Sequence, residues 1–130
     1  NVLGTAILLE AVRDAKVPRF HHISTCEVFG DLELDSPDSF KETSRYNPKT
    51  PYNASKAGSD HAVMAFYHTF GVAATISNCA NNYGPYQHPE KVLPLFITNA
   101  IENKPLPLFK SSQNKSGCKK QDTKHRIQKQ

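Results

Sequence analysis

Tyr52 and Lys56 stand four residues apart in the stretch "YNASK". On a helix that spacing puts an aromatic hydroxyl and an ammonium on one face, one turn apart. Such a pair suits base catalysis. A tyrosine hydroxyl titrates near ~10 and is a poor base at neutral pH, but a nearby ammonium favours the phenolate. Lowering the pKa by ~3 units takes about 4 kcal/mol of differential stabilisation, which a partly dry cleft can supply. The same spacing also serves packing, with an aromatic ring laid along a lysine stem. A second stretch, "ISTCEVFG" at 23–30, sets the thiol of Cys26 beside the carboxylate of Glu27. A thiol there is either a reacting group, a substitute for one, or a buried and inert side chain.

Other chemistries find little support. The three cysteines, Cys26, Cys79 and Cys118, are widely spaced and odd in number, with no CxxC pair. Reduced thiols are therefore expected rather than a disulfide framework or thiolate zinc site. Six histidines include the neighbours His21 and His22 but form no HExxH or similar spacing, so no metal site is expected.

The elements that must position Tyr52 and Lys56 can be read from pattern. Residues 2–15 place Leu8, Ala11 and Val12 on one side at helical spacing, with Glu10, Arg13 and Asp14 toward water. Pro18 ends this helix, and residues 19–24 read as a short strand anchored by Phe20 and Ile23. From Thr25 to Lys49 the chain turns polar and acidic, with Gly30, Pro37 and Pro48 as breakers, so a long irregular connection is expected. Its acids, Asp31, Glu33, Asp35 and Asp38, read as a solvated surface rather than a metal cage.

A second helix starts where Thr50 can cap and Pro51 suits the first helical position, its missing N–H being one that would go unpaired there anyway. It runs to about Phe70, and Gly71 stops it. Residues 72–78 are rich in β-branched side chains, as a buried strand should be. Strand, crossover helix and strand make a βαβ unit with a parallel sheet. Tyr52 then opens the crossover helix just beyond the loop leaving the carboxyl end of a strand, the edge at which α/β proteins bind ligands. Residues 91–102 resume a helical pattern, and "PLPLF" at 105–109 reads as extended.

The whole chain has 130 residues, enough for one modest core. It begins on Asn1 and at once enters an apolar helical pattern, which reads as the interior of a larger protein. No membrane span or signal peptide is indicated, so the cytoplasm is the expected compartment. The net charge of +4 is unevenly placed. Residues 110–130 carry seven Lys or Arg and one Asp, giving +6, while the other 109 residues carry nine basic and eleven acidic groups, giving −2. The basic character belongs to a tail with almost no apolar side chains, for which disorder is expected. That tail is the sole support for an alternative reading as a noncatalytic interaction module for acidic partners or RNA. It holds no aromatic residue for base stacking, so specific nucleic-acid recognition is not expected.

Three stretches, "HHISTCEVFGDL", "TPYNASKAGSDHAV" and "NCANNYGPYQHPEKVLPLFITNAIENKPLPLF", resemble successive signatures of the dTDP-glucose 4,6-dehydratases, extended short-chain dehydrogenases/reductases, in both order and spacing. The match runs from Asn1 to about Phe109. The resemblance implies an α/β, partial Rossmann-like parallel sheet with crossover helices and its first βα units missing. Residues 1–78 would be the later part of an NAD-binding domain and 79–109 the start of a nucleotide-sugar region. NAD would be the cofactor and dTDP-glucose the substrate, and the arrangement is compatible with a family-like homodimer.

The implied lyase chemistry takes hydride from sugar C4 to NAD, eliminates water across C5 and C6, and returns the hydride to C6, giving a 4-keto-6-deoxy sugar. On that pattern Tyr52 is the base at the C4 hydroxyl, and Lys56 holds the nicotinamide ribose and favours phenolate. Thr25 hydrogen-bonds the reacting oxygen, and Glu27 takes the C5 proton. Asn81 and Lys91 match substrate-contacting positions, and Asn82 a cofactor-side position. Val92 and the run Pro107, Leu108 and Phe109 match the lining around the nucleotide.

The sequence departs from the family pattern in three places. The family's stretch reads Ser-Thr-Asp-Glu-Val-Tyr-Gly, so Cys26 replaces the Asp that protonates the departing C6 hydroxyl, and Phe29 replaces Tyr. A thiol near pKa ~8.5 keeps its proton at pH 7 but is a weak donor. General acid catalysis is worth ~10² to 10⁴-fold, so impaired elimination is expected with hydride abstraction spared. No glycine-rich phosphate-binding turn occurs in these residues, so very weak NAD binding and an inactive fragment are expected. Beyond Lys110 the family's Gly-rich turn and Arg-Asp-Trp segment are absent, and Ser116 falls where a substrate-phosphate arginine is expected.

Overall fold

The computed structural model describes residues 1–32 and 37–107. Glu33, Asp35, Leu108, Phe109, Ser116, Cys118 and the whole basic tail lie outside the described residues. Helix α1 spans Val2–Asp14, strand β1 Phe20–Thr25, helix α2 Pro51–Phe70, strand β2 Ala74–Cys79 and helix α3 Val92–Ile101, with a 3₁₀ turn at Cys26–Phe29 directly after β1. The two strands are parallel, in a register running from Phe20 opposite Ala74 to Thr25 opposite Cys79. Because α2 joins them, the centre of the molecule is the expected βαβ unit of an α/β fold.

The ends of α2 follow from local chemistry. Thr50 Oγ1 accepts from the Asn53 N–H at 3.1 Å, satisfying one of the donors that a helix start leaves free, and Pro51 follows it. At the other end Gly71 takes a left-handed conformation, φ +68°, and its N–H reaches the Tyr67 carbonyl. Helix α1 closes with Lys16 at φ +51°, two residues before Pro18.

The core is small and divided. Leu9, Val12, Val63 and Val72 form one buried cluster, with Phe20, Phe66 and Ile76 packed against it, so α1 and α2 lie together over the sheet. A second cluster, Val28, Phe29 and Ala57, fixes the 3₁₀ turn against α2 and gathers Phe40 and Tyr46 from the long connection. Phe29 lies 5.5 Å from the Phe40 ring and 5.2 Å edge-on to Tyr46, between centroids. The returning chain passes so close to Gly30 that a Cβ there would sit 2.7 Å from the Asn47 carbonyl oxygen, and φ is +89°. Only glycine suits that position.

Two expected packing patterns differ from the structure. The buried stripe of α1 is Leu9 and Val12, while Leu8 is 52% exposed and Ala11 faces water, so the apolar face is turned by one residue. In β1 the expected anchor Ile23 is 62% exposed, and the buried positions are His22 and Ser24. A strand alternates faces with period two, so Phe20 and Ile23, three apart, cannot both face the same layer. Phe20, His22 and Ser24 share the face toward α2, which is therefore largely polar.

Candidate active site

At the carboxyl end of β1, Thr25 is extended and its Oγ1 accepts from the Glu27 N–H at 3.3 Å. The threonine hydroxyl thus starts the 3₁₀ turn with its lone pair and keeps its proton to donate elsewhere. Glu27 is half-buried on this turn. Cys26 is 4% exposed, and neither it nor Cys79 is in a disulfide.

Helix α2 brings the second half. Tyr52 lies in its first turn with 57% of its surface exposed, so the ring is open to solvent rather than sealed under hydrocarbon. One turn on, the Lys56 Nζ donates to the Ile23 carbonyl at 2.7 Å. The ammonium is therefore seated at the end of β1, two residues before Thr25. Helix α2, which carries Tyr52 and Lys56, packs through Ala57 on the 3₁₀ turn that holds Glu27, and Lys56 reaches β1 two residues before Thr25. Among the described residues, no side-chain hydrogen bond joins Tyr52 to Thr25, Glu27 or Lys56.

The remaining predicted positions are placed but not gathered. Asn81 and Asn82 follow β2 on an exposed loop, where the Asn82 carbonyl accepts from Gln87 Nε2 at 2.8 Å. Lys91 precedes α3 and makes a 3.3 Å surface pair with Glu90, a contact of small energetic value at that exposure. Val92 is 58% exposed, and Pro107 is half-buried after a segment tied to α3 by Asn99 Nδ2 and the Pro105 carbonyl. Among the described residues, none of these shares a hydrogen bond with Thr25, Glu27, Tyr52 or Lys56. Helix α3 itself buries no residue fully.

Sequence reasoning missed the buried centre behind the site. Asp60 is fully buried on α2, and its Oδ2 accepts from Ser24 Oγ at 2.8 Å, Tyr46 OH at 3.1 Å and Asn78 Nδ2 at 3.2 Å. His22 Nε2 lies 3.2 Å from Asp60 Oδ1, but it is aligned on Ser59 Oγ, so Oδ1 sits beside that nitrogen without a directed hydrogen bond. Ser59 Oγ donates to the Lys56 carbonyl at 2.7 Å, which leaves it to accept from His22. With acceptors on both sides, His22 Nε2 must carry the proton. Burial first, and then the charge and hydrogen bond of Asp60, hold the Tyr46 phenol well above its usual range. The sequence shows an acid one turn beyond Lys56 on the same stripe, but its polar partners on β1 become apparent only once the strand's inward face is known.

A family model described as GDP-mannose 4,6 dehydratase matches residues 1–127. The chain belongs to this family. Its similarity to the dTDP-glucose 4,6-dehydratase of Mycolicibacterium smegmatis is 54% identity over 114 residues, covering 88% of this chain and 34% of that relative. The Escherichia coli dTDP-glucose 4,6-dehydratase is 50% identical over 125 residues, with 84% and 35% covered. Among solved structures, DesIV, a dTDP-glucose 4,6-dehydratase from Streptomyces venezuelae with NAD and TYD bound, superposes with a TM-score of 0.75 at 49% identity, over 83% of this chain and 33% of that one. The UDP-glucuronic acid 4-epimerase of Bacillus cereus with UDP-glucuronic acid and NAD gives the same TM-score and coverage at 30% identity. The chain thus spans about a third of the length of these family members, as the 33–35% shares show. Its βαβ unit is part of a Rossmann-type sheet. None of the described helices is long and apolar enough to cross a membrane.

Proposed function

We propose that the chain carries the acid–base segment of an NAD-dependent dTDP-glucose 4,6-dehydratase and is inactive by itself. The observation that carries this reading is the exposed Tyr52 ring one turn before Lys56, whose ammonium donates to the Ile23 carbonyl of β1, two residues before Thr25. Residues 1–78 serve the NAD-binding domain and 79–109 begin the nucleotide-sugar region. A second copy is the partner that the resemblance implies, and the cytoplasm is the compartment expected of a chain with no membrane span or signal peptide in its 130 residues.

The residues present fit one end of NAD. Lys56 spends one of its three N–H donors on the Ile23 carbonyl, leaving two for a ribose hydroxyl and the tyrosine oxygen. The pyrophosphate end finds no glycine-rich turn in the 130 residues. NAD, when bound, supplies the acceptor and donor for the hydride of C4 and C6.

This chain's own part is proton movement. Tyr52 takes the proton of the C4 hydroxyl, and Thr25 donates a hydrogen bond to the same oxygen while keeping its proton. Glu27 removes the proton at C5, made acidic once C4 is a carbonyl. Cys26 stands where the C6 hydroxyl must be protonated as it leaves, with a weaker donor than a carboxylic acid. Asn81 and Lys91 hold the sugar and its phosphates, Asn82 the cofactor side, and Val92 and Pro107 to Phe109 line the nucleotide.

The test is a graft of residues 1–107 into the matching segment of the M. smegmatis relative. With dTDP-glucose, the graft should form the 4-keto-6-deoxy sugar ~10² to 10⁴-fold more slowly than the parent, and Cys26→Asp should recover most of that loss. A folded graft that binds both ligands and gives no product even with Cys26→Asp contradicts the reading.

A further inference from the structure

We propose that Asp60 is a positioning residue for the Tyr52–Lys56 pair, a buried clamp that fixes the distance between α2 and the end of β1. The inference rests on the reading of Tyr52 and Lys56 given above. Tyr52, Lys56 and Asp60 are spaced four and four apart, so they form one stripe along the same side of α2. Lys56 reaches the Ile23 carbonyl from this stripe, and one turn on Asp60 takes the Ser24 hydroxyl, the next residue of β1. Two adjacent strand residues are therefore held by two adjacent turns of one helix. Asn78 Nδ2 extends the clamp by bridging Asp60 Oδ2 and, at 3.4 Å, the Thr25 carbonyl, so the residue that carries the hydroxyl donor is tied to the same carboxyl group. Tyr46 brings in the long connection, and His22 and Ser59 complete the surroundings.

A buried carboxyl that gathers donors from two strands and a loop costs desolvation, and an apolar residue would fill the same space more cheaply. What an apolar residue cannot do is fix direction. Each hydrogen bond accepts only a narrow range of distance and angle, so the set defines where α2 sits along β1. The clamp thereby limits sliding of the Lys56 ammonium past the Ile23 carbonyl and of the phenol past Thr25.

The test uses the chain itself and needs no activity. The acetylation rate of Lys56 is measured by mass spectrometry, with the exposed Lys104 as the internal standard. Asp60→Ala and, independently, Ser24→Ala should raise the Lys56 rate by about tenfold, the loss expected when a charge-assisted hydrogen bond is no longer held. Val63→Ala, a buried apolar truncation on the same helix, should lower stability and leave the relative Lys56 rate unchanged. If Asp60→Ala does not fold, Ser24→Ala decides. An equal rise in Val63→Ala, or no rise in Ser24→Ala, overturns the proposal. An inactive graft alongside the predicted labelling pattern removes only the dehydratase reading, whereas an active graft with flat labelling removes only the clamp.

Discussion

At the scale of single residues, the chemistry is proposed for the exposed Tyr52 and the holding for buried groups such as Asp60. Tyr52 is open, and Tyr46, six residues earlier, is the opposite case: a phenol whose hydroxyl meets the Asp60 carboxyl in a partly buried site. Its raised pKa has a stability consequence with a definite sign. The folded state keeps the Tyr46 proton longer than the unfolded chain does. This stabilisation is therefore fully present below pH ~10 and is lost as pH climbs from there toward the folded value. Denaturant unfolding of wild type should fall off more steeply above that pH than unfolding of Tyr46→Phe; parallel curves would mean that the phenol titrates alike in both states. Tyr52 and Lys56 lie one turn apart on α2, as their spacing implied. The burial of Asp60 was not legible, because a helical acid reads as a solvent-facing residue until its partners across the sheet are known.

At the scale of elements, the start and stop of α2 were legible because they rest on adjacent residues: a hydroxyl cap, a proline and a left-handed glycine. Thr50→Ala removes the acceptor for the Asn53 N–H and should lower the melting temperature by ~5 °C, read by circular dichroism, with Thr50→Ser recovering most of the loss. The buried faces of α1 and β1 were less legible. In α1, Leu8 and Leu9 are both apolar and only the packing partner selects between them. In β1, two of the three inward residues are polar, so a rule that looks for apolar anchors chose Ile23 on the wrong face. The polar inward face exists because Asp60 is there to receive it, and that partner lies 36 residues from Ser24 in sequence.

At the scale of the whole molecule, one two-stranded sheet and a divided core hold the acid–base group, and much apolar surface remains open. Leu3 and Ile7 of α1 and Ile97 and Ile101 of α3 are each more than half exposed. The order of Thr25, Glu27, Tyr52, Lys56 and the later asparagines could be read as a pattern, yet the described positions after β2 share no hydrogen bond with Thr25, Glu27, Tyr52 or Lys56, and α3 has no buried side chain. The same incompleteness governs ligand binding. Calorimetry of the 130-residue chain with NAD should show no measurable heat at ordinary concentrations, because no backbone cradle for the pyrophosphate is present. Micromolar affinity would show that the residues around Tyr52 and Lys56 hold the cofactor unaided.

The account turns on Tyr52 as the group that takes the C4 hydroxyl proton, and the most direct measurement is the first-turnover rate of NAD reduction by dTDP-glucose in the M. smegmatis graft, followed at the nicotinamide absorbance. Tyr52→Phe should lower that rate by ~10² to 10⁴-fold without weakening NAD binding, while Cys26→Asp should leave it unchanged, since the thiol acts only at the later elimination. A Tyr52→Phe graft that reduces NAD as fast as its parent would contradict the account.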